Sequence, residues 1–122
     1  MAAEANLRKA LRDKLKAFSL LSKGQLKFWS NTDTFISGLP DMTLIWHGQY
    51  IACELKAPDG VLSPLQKKDL SEVVTAGGLS CVIRKSASRG KFVCELYPTD
   101  DSFEFATIET LLQELDARRT SA

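Results

Sequence analysis

The chain has little of what most enzyme mechanisms require. Its 122 residues include a single histidine, His47, and three cysteines, Cys53, Cys81 and Cys94. One histidine rules out a multi-histidine zinc site and argues against Ser/His or Cys/His nucleophilic catalysis. Cysteines odd in number, without metal-ligand spacing and each set among apolar residues, predict buried free thiols rather than a disulfide framework. No apolar run approaches the roughly 18 residues needed to span a bilayer. The start, Met1-Ala2-Ala3-Glu4-Ala5-Asn6, lacks the basic and apolar regions of a signal peptide. The expectation is an intracellular protein that does not engage a membrane.

What is present describes one globular domain over residues 1–122. At 44% hydrophobic residues the chain can bury an ordinary core. The net charge of +1 hides a division. Residues 1–91 carry 14 Lys and Arg against 8 Asp and Glu, a surplus of six, whereas residues 92–122 carry 2 against 7, a deficit of five. A basic surplus of this kind can follow a phosphate backbone, or it can be a mixed, solvated surface. Arg8, Arg12, Lys67 and Lys68 are the candidate DNA-binding cations within it.

Hydrophobic spacing sets out the elements. Leu7, Leu11, Leu15 and Phe18 predict an amphipathic helix over 4–18, with Glu4 continuing the inward stripe. Residues 25–30 read as a strand, 31–40 as a loop, and 42–46 and 50–56 as two strands around His47-Gly48-Gln49. Ser63-Pro64-Leu65-Gln66 opens a helix with an N-cap, a proline at the first position and a capping-box glutamine. That helix ends at Gly77-Gly78. Strands follow at 79–84, 91–97 and, shorter, 102–105; Thr107 caps a last helix carrying Ile108, Leu111, Leu112 and Leu115. The fold class is α/β, a mixed sheet flanked by helices. The hairpin is antiparallel, while the helical crossover from 56 to 79 favours a parallel pair.

Within the hairpin the alternation carries chemistry. Met42, Leu44, Trp46, Ile51, Cys53 and Leu55 form a wholly apolar face. Asp41, Thr43, Ile45, Tyr50, Ala52, Glu54 and Lys56 form the other. A His47-Gly48 loop sets Asp41 opposite Glu54; a Gly48-Gln49 loop sets it opposite Lys56. Either register keeps all three side chains on one face, and a one-residue slip would separate them. Two carboxylates across a hairpin can grip a hard cation, Mg²⁺ or Mn²⁺, with the backbone carbonyl of Leu55 as a third ligand. Lys56 points the same way and can orient a water or stabilise transition-state charge. This is the equipment of phosphodiester hydrolysis. The same triplet also arises by chance on soluble strands. Pro58-Asp59 repeats part of it in a turn, and Cys94-Glu95-Leu96-Tyr97 repeats another part with Tyr in place of lysine.

The joined motifs are more specific. Gly38-Leu39-Pro40-Asp41, Glu54-Leu55-Lys56-Ala57-Pro58, Gly60, Leu62-Ser63, Gln66 and Ala76-Gly77 together resemble the virus-type replication-repair nuclease (VRR-Nuc) domain of the PD-(D/E)XK superfamily, over about residues 4–86. The resemblance implies a restriction-endonuclease-like αβββαβ core, followed by an appendage of strand and helix from about residue 87. It implies Asp41 and Glu54 as metal ligands, Lys56 as the catalytic lysine and Glu4 as the acidic residue of the first helix. It also makes Gln66 a helix residue facing the site, although the capping box explains that glutamine independently. The implied activity is a Mg²⁺- or Mn²⁺-dependent DNA endonuclease without a nucleotide cofactor. A structure-specific enzyme acting on branched DNA is expected, a resolvase of four-way (Holliday) junctions foremost, working as a homodimer in a bacterium or phage-infected host. A flap-cleaving or restriction-type nuclease and a non-catalytic nucleic-acid-binding module are the alternatives.

Overall fold

The computed structural model describes residues 2–31 and 39–119. They form α1 (Ala2–Leu21), β1 (Leu26–Ser30), β2 (Met42–Trp46), β3 (Gln49–Leu55), α2 (Pro64–Thr75), β4 (Leu79–Lys85), β5 (Phe92–Tyr97), β6 (Ser102–Phe105) and α3 (Ile108–Ala117). Gly38 of the first motif and most of the expected loop lie outside the described residues. None of the described helices is long and apolar enough to cross a membrane.

The six strands form one sheet in sequence order. All neighbours are antiparallel except β3 and β4, which pair in parallel across the α2 crossover. The sheet is therefore mixed, as the element pattern predicted. The turn between β2 and β3 settles the register. His47 (φ 49°) and Gly48 (φ 75°) are both left-handed, the signature of a two-residue type I′ loop whose twist matches the flanking strands. Met42 then pairs with Cys53 and Trp46 with Gln49, so Asp41 stands one step before the ladder, level with Glu54.

Helices α1 and α3 cover one face of the sheet. There Leu7, Leu11 and Leu15 meet the hairpin's apolar face, Met42, Leu44, Trp46, Ile51, Cys53 and Leu55, in a single buried cluster. The segment expected as an appendage does more than append. Strands β5 and β6 extend the same sheet, and Phe105, Ile108, Leu111, Leu112 and Leu115 are part of that cluster. A helix as short as α3 gains its stability from such packing more than from propensity. The end of α3 also clamps the hairpin turn. Asp116 accepts from Trp46 Nε1 at 3.0 Å and contacts His47 Nδ1 at 3.2 Å, while Arg119 donates to the His47 carbonyl at 2.8 Å.

Helix α2 covers the other face over β3 and β4, burying Leu70 against Ala52 and Val82. Its approach is close enough that a side chain at residue 78 has no room. A Cβ there would stand 2.8 Å from Val73 Cγ1 and 3.1 Å from the Tyr50 carbonyl oxygen, so Gly78 is required where the helix turns back into β4.

Candidate active site

Asp41 sits at the mouth of β2, held by its backbone and by both carboxylate oxygens. Its carbonyl accepts the Asn31 N–H at 2.9 Å, and Asn31 Nδ2 donates to the Pro40 carbonyl at 2.8 Å, fixing the approach to the strand. Oδ2 accepts the Leu55 N–H at 2.8 Å. Oδ1 accepts from Arg8 Nη2 at 2.7 Å. The first helix therefore reaches Asp41 through Arg8, one of the candidate DNA-binding cations, whose side chain stays partly exposed.

Glu54 lies on the α2 side of β3 and is only 1% exposed. Its Oε1 accepts from Gln66 Nε2 at 3.2 Å. Oε2 is buried and has no hydrogen-bond partner among the described residues. Burial first, then the nearness and charge of the Asp41 carboxylate, push the Glu54 pKa up to about 9; the Lys56 ammonium pulls the other way. A buried carboxyl with an orphaned oxygen beside a second carboxylate is costly unless a cation completes it.

Gln66 performs both functions that its sequence context offered. Its Oε1 accepts the Ser63 N–H at 2.9 Å while the Ser63 hydroxyl accepts the Gln66 N–H at 3.2 Å, a complete capping box. The other end of the same amide is the Nε2 that reaches Glu54. A glutamine can do this because its carbonyl and NH₂ point apart. Lys56 follows β3 directly. Its stem passes over the 57–60 turn, where a Cβ at Gly60 would lie 3.4 Å from Lys56 Cδ. Arg84 holds that turn by donating to the carbonyls of Ala57 at 2.8 Å and Gly60 at 2.6 Å.

Two site neighbours went unnoticed in the sequence. Asp69 lies three residues beyond Gln66 on the same helix face. Its Oδ2 is buried with no partner among the described residues, burial and the charge of Glu72 raise its pKa, and its own charge adds to the upward push on Glu54. The spacing from Gln66 was the available signal. Ser30 is the second, since its hydroxyl accepts from Arg8 at 2.8 Å. No sequence pattern marks it.

The structure does not bring every expected residue together. Glu4 is partly buried on α1. Among the described residues, however, no three His, Cys, Asp or Glu side chains converge in a metal-binding group. Among the described residues no hydrogen bond or ion pair joins Glu4 to Asp41 or Glu54; the side chain that α1 brings to Asp41 is Arg8, one helical turn on. Arg12, Lys67 and Lys68 are exposed. The acidic C-terminal charges are largely spent on internal pairs: Glu95 with Arg84, Asp101 and Glu114 with Arg118, and Asp116 with Arg119.

Comparison with known proteins gives three results. No curated protein matches the chain. Among solved structures it is similar to Hjc, a Holliday junction resolvase from the archaeal hyperthermophile Archaeoglobus fulgidus, at 17% identity over 77% of this chain and 86% of that one, with a TM-score of 0.48. The VRR-NUC domain model matches residues 3–87, a stretch that holds Arg8, Asp41, Glu54, Lys56 and Gln66. With more than half of its length matched, the chain belongs to the VRR-NUC domain family.

Proposed function

We propose that this protein is a divalent-metal-dependent DNA endonuclease whose site is Asp41, Glu54 and Lys56. The observation that carries the reading is the orphaned, buried Oε2 of Glu54 beside Asp41. The donors are two carboxylates and the backbone carbonyl of Leu55, the residue whose N–H meets Asp41 Oδ2; this hard-oxygen set suits Mg²⁺ or Mn²⁺. Asp41, Glu54 and the Leu55 carbonyl would hold the ion. When bound, such an ion lowers the pKa of water and neutralises charge on the phosphoryl oxygens.

The chain's own residues do the remaining work. The Leu55 N–H locks the orientation of Asp41 by holding Oδ2. Gln66 fixes one oxygen of Glu54 and leaves the other without a protein partner among the described residues. Lys56 brings an ammonium to the same face as Glu54, where it can donate to the attacking water or to a non-bridging oxygen as charge develops. Arg12, Lys67 and Lys68 are exposed cations available to the DNA backbone.

The favoured substrate is branched DNA, a four-way junction in particular, as the family resemblance implies. Resolution of a junction takes two symmetric cuts, which matches a two-fold homodimer. The test is a gel assay with labelled four-way junctions, flaps, single strands and duplex in Mg²⁺, Mn²⁺ or EDTA. Metal-dependent paired cuts on the junction, lost in Asp41→Ala and Lys56→Ala, are expected. Metal-independent cutting, or full activity in both variants, would sink the mechanism. Cutting of plain duplex at fixed sequences would turn the substrate assignment to a restriction-type enzyme.

A further inference from the structure

Asp41 already carries a cation. Arg8 Nη2 donates to Asp41 Oδ1 at 2.7 Å, and Arg8 Nη1 donates to the Ser30 hydroxyl at 2.8 Å and to the Asp41 carbonyl at 3.2 Å. With Leu55 N–H on Oδ2, both oxygens of the carboxylate are engaged. These two partners differ in what it takes to remove them. The Leu55 N–H belongs to the backbone of β3 and cannot withdraw without opening the β2–β3 ladder. Arg8 is a side chain on a flexible stem, 27% exposed, and among the described residues it is anchored outside the carboxylate by a hydroxyl and a carbonyl oxygen. Of the two, it is the one that can move.

We propose that Arg8 is a resident counter-ion of Asp41 that competes with the divalent cation for Oδ1, and so sets the metal affinity of the site. The proposal rests on the reading of Asp41 and Glu54 as metal ligands. A guanidinium on Oδ1 satisfies the carboxylate in the metal-free protein, holds it in place, and occupies an oxygen that the metal would otherwise use. Ser30 then has a role of its own: its hydroxyl helps hold the guanidinium in place. Metal loading swings or loosens Arg8 and leaves a planar, bidentate cation at the entrance, a shape suited to a phosphate.

The experiment is calorimetric titration of the metal-free full chain with MnCl₂, without DNA, for wild type, Arg8→Gln, Arg8→Lys, Ser30→Ala and Asp41→Asn. Arg8→Gln should bind Mn²⁺ about two- to fivefold more tightly, the strength of a partly exposed ion pair expressed as a binding constant. Arg8→Lys, which keeps the charge, should remain near wild type. Ser30→Ala should shift in the direction of Arg8→Gln by a smaller factor; it also serves as the informative variant if Arg8→Gln does not fold. If Arg8→Gln and Ser30→Ala bind Mn²⁺ no more tightly than wild type while Asp41→Asn loses it, Arg8 is no competitor and the metal reading stands without it. If Asp41→Asn binds like wild type, the metal reading fails and takes this proposal with it.

Discussion

Replacing Glu54 by glutamine should stabilise the metal-free protein at neutral pH, although the residue is one of the proposed ligands. Folding takes the carboxyl from its ordinary value of 4.5 to about 9. Between those two values the unfolded chain releases the proton and the folded chain keeps it. The folded state then binds more protons, so stability is fully present below pH 4.5 and falls as pH rises towards 9. At 1.36 kcal/mol per unit, the interval from 4.5 to 7 corresponds to at most about 3 kcal/mol. Glutamine is close to isosteric, needs no proton and keeps an oxygen for Gln66 Nε2. Glu54→Gln should therefore gain about 1–3 kcal/mol at pH 7 in EDTA, a rise of several degrees in Tm for a chain of this size. At pH 5 the gain should nearly vanish. Mn²⁺ should narrow the difference from the other side, by stabilising wild type and not the variant. Thermal melts by circular dichroism at pH 5, 7 and 8.5, with EDTA or MnCl₂, check all of this. A variant no more stable than wild type at pH 7 to 8.5 in EDTA, or a gain independent of pH, refutes the reasoning.

Three further predictions concern side chains with separable roles. Ser63→Ala removes the cap alone and should cost about 1 kcal/mol in urea unfolding while leaving cleavage close to wild type. Gln66→Ala should cost a similar amount of stability and in addition lower cleavage about tenfold, because it releases Glu54 Oε1; equal cleavage in the two variants would separate Gln66 from the site. Asp116→Ala removes the acceptor of the Trp46 N–H, the carboxylate beside His47 and the ion-pair partner of Arg119, and leaves the Trp46 N–H unpaired. It should destabilise the fold by about 1–3 kcal/mol in urea melts, with a larger loss than Asp13→Ala on the exposed face of α1.

The hairpin shows how far local pattern reaches. Alternation placed Asp41, Glu54 and Lys56 on one face but allowed two registers, because either pair of turn residues satisfies a two-residue loop. What chose between them was a histidine accepting a left-handed φ of 49°, in a turn that α3 grips through Asp116 and Arg119 from about seventy residues away along the chain. Gln66 shows the opposite case. Cap and site were competing readings of one residue, and the structure gives one end of the amide to each. Cys53, Cys81 and Cys94, unrelated in spacing, are all buried free thiols as expected. Cys53 and Cys81 prove to be cross-strand neighbours, with sulfurs 3.4 Å apart.

By itself the sequence determined much that is of short range: which segments are helix or strand, where α2 is capped, and which side of the hairpin strands is apolar. These follow from periods of two and 3.6 residues and from capping chemistry, which act within a turn or a ladder step. Tertiary structure alone decided the rest. It set the burial of Glu54 under α2, the orphaned Oε2, the arrival of Arg8 on Asp41, the nearness of Asp69, and the use of β5, β6 and α3 as part of one core. Each depends on the direction in which one element crosses another. Neither desolvation nor the pairing of charges from distant segments is written in the spacing of residues along a chain.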